Sequence, residues 1–197
     1  MPSARPVTAV SAPDITSAVV RAVSRDDRHR FSKAAVPRIE LVEGHGVRGD
    51  AHAGATVQHL FPQRRHPEQP NLRQVHLLDE EFHHEAARHD FALHAGDLGE
   101  NVLTAGLDLR ALPTGTLLTF GSADGPTVRV TGLRNPCHQI DGFRPGLLKV
   151  AVGRDDAGQV VRKVGVMAVV TRSGPVTAGD LVRVQLPSGP HRPLQPV

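Results

Sequence analysis

Residues 127–137 read TVRVTGLRNPC, and this stretch joins a clear strand pattern to the only cysteine of the chain. Polar and apolar side chains alternate across residues 127–133, which is typical of a strand with one buried face. The residues that follow are polar, and Pro136 directly precedes Cys137. A buried structural cysteine usually lies among apolar residues. The sequence therefore predicts a strand that leads a single thiol into a polar loop.

Short strand patterns separated by turn signals occupy most of the chain on both sides of this stretch. The 19 glycines and 16 prolines favour many turns. Helices are predicted only at 79–90, where Asp79 is the N-cap and Phe82 and Ala86 share one face, and at 146–152. The predicted fold is mainly β with α inserts: a closed or half-closed antiparallel β-barrel of seven or eight strands with two or three short helices. The predicted strands cover residues 17–23, 38–42, 74–78, 101–104, 116–120, 127–133, 164–171 and 180–186.

The length of 197 residues suits one domain with a substantial core. Residues 1–14 are rich in Pro, Ala and Ser, and residues 187–197 are rich in Pro, so both are predicted to be disordered tails. The single domain is expected to span residues 15–186.

Charge and cysteine content exclude several classes of function. The formal net charge is +3, the arginines are scattered, and aromatic side chains are scarce, which argues against a nucleic-acid partner but leaves room for a small anionic ligand. One cysteine excludes an intrachain disulfide and fits a reducing compartment. No apolar signal region or stretch of about 20 apolar residues is present, so we expect a cytoplasmic protein without membrane contact.

Two glycine-rich stretches carry polar side chains. In GHGVRGDAHAG (44–54), Arg48, Asp50 and His52 alternate, so an extended backbone would point them to one side. AGDLGEN (95–101) leads directly into a predicted strand. Each stretch is either an ordinary surface turn or a loop that presents polar groups to a ligand.

Cys137 has polar and cationic neighbours in sequence. A thiol reacts or binds metal as the thiolate, which nearby positive charge favours, and Arg134 and His138 are the candidates to supply that charge. His138 is a poor general base for Cys137, since adjacent side chains diverge. A zinc or iron–sulfur site built from four cysteines is excluded with one Cys. Cys137 is therefore either inert or a ligand to a metal whose other ligands come from elsewhere.

Several blocks, taken in order, resemble the MOSC domain, which is named after the C-terminal domain of molybdenum cofactor sulfurase. The blocks are GVRGDAH (46–52), QVHLLD (74–79), AGDLGENVLTAGLDLRALPTGTLLTFG (95–121), VRVTGLRNPCHQID (128–141), GLLKV (146–150), VGVMAVV (164–170) and VTAGD (176–180). The resemblance spans roughly residues 40–184 and is to the short stand-alone bacterial type. It implies a β-barrel fold and, in the reductase members, a cysteine that ligates molybdenum in a pterin-based molybdenum cofactor (molybdopterin). Such members reduce N-hydroxylated compounds to amines or amidines.

The resemblance also implies roles for particular residues. Cys137 is the expected metal ligand and catalytic cysteine. His52, His76 and Asp141 are candidate proton donors for N–O cleavage. Cationic partners for the phosphate of the cofactor, and polar or backbone groups for its pterin, are expected among Arg48, Gly49, Asp50, Gly99, Glu100, Asn101, Arg134, Asn135, His138 and Lys149.

The expected partners are a small N-hydroxylated substrate and a separate electron-donor protein, since the sequence shows no nucleotide fingerprint or ferredoxin-type cysteine cluster. A homodimer is left open. Two other functions also remain open at this stage: a sulfur carrier with a persulfide on Cys137, and a cofactor-binding module without catalytic activity.

Overall fold

The computed structural model describes residues 18–58 and 68–197. The tail predicted at 1–14 and the start of the strand predicted at 17–23 lie outside the described residues. Within these ranges, none of the helices has the length and apolar character needed to cross a membrane.

The largest sheet has eight strands among the described residues. In spatial order they are β13 (Val182–Gln185), β7 (Leu117–Phe120), β8 (Thr127–Leu133), β11 (Val166–Arg172), β5 (Val75–Asp79), β6 (Val102–Ala105), β1 (Val19–Arg25) and β2 (Ala34–Val36). A second sheet joins β12 (Gly174–Thr177), β3 (Arg38–Val42) and β4 (Gly46–Val47), and a hairpin joins β9 (Val152–Arg154) to β10 (Val160–Arg162). The expectation of a mainly β fold is confirmed.

The large sheet departs from a closed antiparallel barrel in two respects. Its pairs are antiparallel except β5 and β6, which run parallel with Leu77 opposite Val102. The chain crosses between them through helix α1 (Glu80–Ala87), because parallel neighbours require a long connection. Strands β2 and β13 end the sheet without pairing to each other. A hydrogen bond nevertheless links β1 to the residues just before β13, since Val20 N donates to Asp180 O at 2.8 Å.

The core lies on both faces of the central strands. Leu77 belongs to one core cluster and its neighbour Leu78 to a second cluster on the opposite face, because successive strand side chains point to opposite faces. Phe82 and Ala86 of α1 are buried in the second cluster, which confirms the predicted apolar face of that helix.

Two short helices follow the cysteine. Helix α2 (Gln139–Phe143) was not predicted, and α3 (Leu147–Ala151) falls within the range predicted as helical. Ile140 of α2 and Leu147 of α3 are fully buried in the second cluster. This packing explains why the polar stretch after Cys137 is helical although its sequence shows little periodicity.

The C-terminal segment differs from the disordered tail expected at 187–197. Leu194 is buried, Leu133 N donates to Gln195 O at 2.9 Å, and Val197 N donates to Leu133 O at 3.3 Å. The segment therefore lies against the end of β8, where Gly132 leaves room for it: a Cβ there would lie 2.6 Å from Val197 Cγ1. Composition alone does not reveal such a long-range contact.

Candidate functional site

A cavity of about 550 Å³ opens beside the loop that follows β8. Its wall is built from distant parts of the chain that the sheet brings together. The described lining residues are His29, Arg30, Phe31, Lys33, His52, Arg73, His76, Leu98, Gly99, Asn101, Arg134, Asn135, Cys137, His138, Gln139, Met167 and Val197.

The Cys137 loop (residues 134–139) leaves β8 and enters α2. It is held at both ends, because Arg134 N donates to Gly165 O at 3.1 Å and Ile140 N donates to Cys137 O at 3.1 Å. Asn135 Oδ1 accepts a 2.9 Å hydrogen bond from Arg162 Nε. The thiol is partly exposed, and its Sγ lies 3.4 Å from Gln139 Oε1 in the same loop. The loop therefore presents the thiol at the wall of the cavity.

Arg134 brings a partly buried positive charge to this wall. Its guanidinium lies 5.9 Å from the centre of the Phe31 ring, and its Nη1 is buried without a hydrogen-bond partner among the described residues. Burial lowers the pKa of Arg134, and the nearby Cys137 and Glu100 oppose that shift. A buried, unpartnered donor next to a cavity favours an anionic or acceptor-rich ligand.

The glycine loop (residues 95–101) mainly supports the segment that precedes β2. Lys33 N donates to Gly96 O at 2.8 Å, and Ser32 Oγ donates to Asp97 O at 2.7 Å. Gly99 has φ +78°, and a Cβ on it would lie 2.6 Å from Phe31 O. This close approach requires glycine. The glycine loop thus holds Phe31 and Lys33 against the cavity.

Glu100 stabilises the glycine loop from inside. Its carboxylate accepts hydrogen bonds from Gly96 N at 2.5 Å and Leu98 N at 3.2 Å, and the residue is 1% exposed. Burial raises the pKa of Glu100, while the Gly96 amide opposes the shift. Glu100 was predicted to contact the cofactor; the structure places it behind the wall.

Asp50 is the centre of a buried polar network. One oxygen, Oδ2, lies 2.7 Å from Lys33 Nζ and accepts a 2.9 Å hydrogen bond from Asn101 Nδ2. The other oxygen lies 3.2 Å from His52 Nδ1. Burial alone would raise the pKa of Asp50, but the hydrogen bond from His52 and the charge of Lys33 outweigh it, so the pKa lies below its usual range.

Asn101 and His76 link this network to β5. Asn101 N donates to His76 O at 2.8 Å, and Asn101 Oδ1 accepts from His76 N at 3.2 Å. His76 is buried, and its Nε2 lies 2.8 Å from Val164 O. Burial lowers the pKa of His76 well below its usual value, and the charge of Arg134 adds to the shift. The imidazole is therefore neutral near pH 7.

The residues selected from the sequence fall into three groups. The structure brings eight of them together in the cavity lining: His52, His76, Gly99, Asn101, Arg134, Asn135, Cys137 and His138. Asp50 and Glu100 lie behind the wall. The remaining four are not in the cavity lining: Arg48, Gly49, Asp141 and Lys149.

The four residues outside the cavity lining are exposed or contribute to turns. Arg48 and Lys149 are exposed, and Gly49 has φ +74° beside Arg25 Nη1. Asp141 accepts hydrogen bonds from Gly146 N at 3.2 Å and Leu148 N at 2.9 Å, at the start of α3. Asp141 thus stabilises the turn after the Cys137 loop.

Sequence reasoning missed one whole part of the wall. His29, Arg30, Phe31 and Lys33 come from the stretch between β1 and β2. Its sequence, RDDRHRFSK (25–33), is dense in charge, but it has no spacing that indicates a site. Contacts with the glycine loop and with Asp50 hold it at the cavity.

The described lining is cationic. It contains Arg30, Lys33, Arg73 and Arg134 together with four histidines, and no Asp or Glu side chain. Within residues 18–58 and 68–197, no group of three or more His, Cys, Asp or Glu side chains is arranged to hold a metal ion. The described wall therefore offers one thiol and several cations to a ligand.

The sequence matches the family model of the MOSC domain over residues 62–183. Because the match spans more than half of the 197 residues, the chain belongs to the MOSC domain family. A comparison with curated proteins gives no match.

Solved structures share the fold. The YUAD protein from Bacillus subtilis is similar with a TM-score of 0.68 and 23% identity, covering 85% of this chain and 94% of that chain. YiiM from Escherichia coli has a TM-score of 0.55 and 17% identity, covering 88% and 73%. YiiM from Geobacillus stearothermophilus has a TM-score of 0.52 and 16% identity, covering 88% and 75%. At these identities the likeness shows the fold alone.

Proposed function

We propose that this MOSC-domain protein binds molybdenum cofactor with Cys137 as the protein ligand to molybdenum, and that it reduces small N-hydroxylated compounds. The observation that carries the proposal is a partly exposed thiol in the wall of a cavity whose described lining holds arginine, lysine and histidine side chains but no Asp or Glu side chain. Membership of the MOSC domain family makes the molybdenum cofactor the first candidate ligand.

The residues present fit this cofactor. The cavity is large enough for a cofactor, because it measures about 550 Å³ and ligand pockets typically measure about 300–1,000 Å³. The dithiolene of the cofactor carries two sulfurs, so one thiolate from the protein is sufficient. The phosphate needs cationic donors, and Arg134 has a buried Nη1 without a partner among the described residues.

We infer which side chains would hold the cofactor from their present partners. Arg73 and Arg134 line the cavity and suit the phosphate. Arg30 also lines the cavity, but its Nη2 already lies 2.6 Å from Asp26 Oδ2. Asn101 already bonds Ser24 O and Asp50, so we assign it to the support of the wall. When bound, the cofactor would supply the redox centre for a two-electron reduction.

The reaction also needs protons, and the three donors named from the sequence differ in their surroundings. His76 is neutral, and its Nε2 is within hydrogen-bond distance of Val164 O. Asp141 accepts two backbone amides outside the cavity lining. His52 lines the cavity and is oriented by Asp50. These contacts favour His52 as a donor.

Molybdenum and pterin content of purified protein from a cofactor-producing host tests the proposal. Wild type should carry about one molybdenum per chain and reduce benzamidoxime with reduced methyl viologen as the electron source. Cys137→Ser should carry less molybdenum when purified and should lose the activity. Arg134→Met should lower pterin content, whereas the exposed strand residue change Arg129→Met should leave it unchanged. Equal molybdenum in wild type and Cys137→Ser would refute the ligand assignment.

A second candidate is a sulfur carrier with a persulfide on Cys137. The observation in its favour is that the only side-chain partner of the thiol among the described residues is Gln139, a residue of the same loop, which leaves the sulfur reachable. Mass spectrometry of intact wild type would reveal one added sulfur that a reductant releases. That adduct together with absent molybdenum would favour the carrier.

We further propose that electrons come from a separate protein and that the protein acts in the cytoplasm. The first follows from the absence of a nucleotide fingerprint or ferredoxin-type cysteine cluster in the sequence, and the second from its single cysteine. Fractionation of the source cell and purification of a redox partner on the loaded protein would test both.

A further inference from the structure

Lys33 and Asp50 form a buried ion pair in the cavity wall. Their side chains are 3% and 1% exposed, with Lys33 Nζ 2.7 Å from Asp50 Oδ2. Asn101 Nδ2 donates to the same oxygen at 2.9 Å. Lys33 also lines the cavity. Burying a charge is costly unless it is paired. Replacing a buried ion pair by apolar side chains is often neutral or stabilising. Stability alone therefore does not explain this pair, and a functional role is expected.

The other oxygen of Asp50 holds His52. His52 N donates to Oδ1 at 2.9 Å, and His52 Nδ1 lies 3.2 Å from the same atom. The His29 ring packs edge-on against the His52 ring, with centroids 5.2 Å apart. One carboxylate therefore orients two proton-bearing side chains, Lys33 and His52, in the cavity that Cys137 also lines.

We propose that Lys33 and His52 deliver the two protons consumed when the N–O bond is cleaved, and that Asp50 positions both. This inference rests on the proposed function. The balance is R–NHOH + 2 e⁻ + 2 H⁺ → R–NH₂ + H₂O. The N–O bond breaks, one proton leaves with the oxygen as water, and the other stays on the nitrogen. The electrons come from a reduced one-electron carrier.

The electrostatics of the cluster suit these roles. Burial lowers the pKa of Lys33, and the Asp50 carboxylate opposes the shift. An ammonium with a lowered pKa gives up its proton more readily near neutral pH. The pKa of Asp50 is held below its usual range, so Asp50 stays ionised and keeps both donors in place. The titratable groups near Lys33 are Asp26, Asp50, His76 and Glu100. Those near His52 are Asp50 and His29.

A purely structural role for Lys33 predicts different results from a role as a donor. Arginine keeps the positive charge opposite Asp50 but does not release its proton in proteins. Lys33→Arg therefore separates the two roles. Lys163→Arg is the matched control, because Lys163 pairs with Glu85 outside the cavity lining.

The test uses cofactor-loaded protein with benzamidoxime and reduced methyl viologen. Lys33→Arg should lower kcat by about 100-fold, the lower end of a general-acid contribution, with KM changed by less than about threefold. In wild type, kcat should fall as the pH rises through the pKa of Lys33, since the donor is lost, and this fall should be absent in Lys33→Arg. Molybdenum content and Tm should match those of Lys163→Arg.

A second variant covers the case in which Lys33→Arg does not fold. His52→Gln retains a side chain that can donate to Asp50 but cannot deliver a proton, so kcat should again fall by about 100-fold. In the cofactor-free protein, ¹⁵N NMR should detect the His52 Nδ1–H bond to Asp50 and its loss in Asp50→Asn, which is a readout independent of turnover.

The outcomes separate this inference from the proposed function. If loaded wild type reduces benzamidoxime and Lys33→Arg and His52→Gln match it in kcat, the proton assignment is overturned and the reductase proposal stands. If wild type with full molybdenum content reduces no N-hydroxylated compound, the proposed function fails and this inference fails with it.

Discussion

The Cys137 loop and the glycine loop are both recognisable in the sequence, yet they contribute to the cavity in different ways. The Cys137 loop places most of its side chains in the lining, including Arg134 and Cys137. The glycine loop uses its backbone and the buried Glu100 carboxylate to hold Phe31 and Lys33 in position. A motif can therefore be characteristic of a site because it supports the wall, without contacting the ligand. Measurements of the free energy of unfolding distinguish the supporting role of the glycine loop from the ligand-facing role of the Cys137 loop.

The largest change in stability is expected at Asp50, whose carboxylate contacts both Asn101 of the glycine loop and Lys33 of the segment before β2. Asp50→Asn leaves the Lys33 charge buried without its ion partner and should lower the free energy of unfolding at pH 7 by about 3–5 kcal/mol. Because the pKa of Asp50 is depressed, its contribution is present above the ordinary value of 3.8 and is lost as the pH falls below it. Urea unfolding at pH 7 and pH 3 should show the difference from wild type narrowing at the lower pH.

The next largest change is expected at Gly96 in the glycine loop. Its φ is +86°, and a Cβ would collide with Lys33 O and approach Ser24 Oγ at 2.9 Å. Gly96→Ala should therefore lower the free energy of unfolding by about 2–4 kcal/mol.

Gly142 in α2 is the matched control. A Cβ there meets nothing within 4 Å, and the residue has no positive φ. Gly142→Ala should be neutral or stabilise by about 0.5 kcal/mol, as expected in a helix. Equal destabilisation by the two alanines in urea titrations would contradict the supporting role of the glycine loop.

A pH-dependent effect is expected at Asp79, which precedes α1 on the path from β5 to the glycine loop. Burial raises the pKa of Asp79 to about 6, and its Oδ2 has no hydrogen-bond partner among the described residues. The protonated form therefore suits the fold, and its stabilising contribution is lost as the pH rises through about 6. Asp79→Asn should raise the free energy of unfolding at pH 7.5 by about 1–3 kcal/mol. Thermal or urea unfolding at pH 4 should show little difference from wild type.

The smallest effect on stability is expected at Cys137 itself. The thiol is partly exposed, and its partner Gln139 is in the same loop. Cys137→Ser in the cofactor-free protein should change the free energy of unfolding by less than about 0.5 kcal/mol. A loss comparable to that of Gly96→Ala would mean that the Cys137 loop is also part of the scaffold, and the contrast between the two loops would fail.

Local patterns predicted the strands with regular alternation. The strands at 38–42 and 127–133 match β3 and β8 at both ends, because their period-two pattern matches their burial. Strands of two or three residues, such as β4 and β9, were missed, since they are too short to show a period. The parallel pairing of β5 with β6 was missed as well, because a strand pattern carries no direction.

The candidate site was predicted where chemistry is local and missed where it depends on long-range contacts. Cys137 and Arg134 are close in sequence and lie together in the cavity. Lys33 is 17 positions from Asp50, and only the contacts of the folded chain bring them to 2.7 Å. Arg48 was selected because it alternates with Asp50 and His52, but the chain turns at Gly49 with φ +74°. Alternation places side chains on one side only in an extended backbone.

X-ray absorption spectroscopy at the molybdenum edge tests the central claim most directly. With Cys137 as ligand, cofactor-loaded wild type should show three sulfur ligands, two from the dithiolene and one from the protein, and Cys137→Ser loaded in vitro should show two. The same number of sulfur ligands in both proteins would contradict the assignment of Cys137 as the molybdenum ligand.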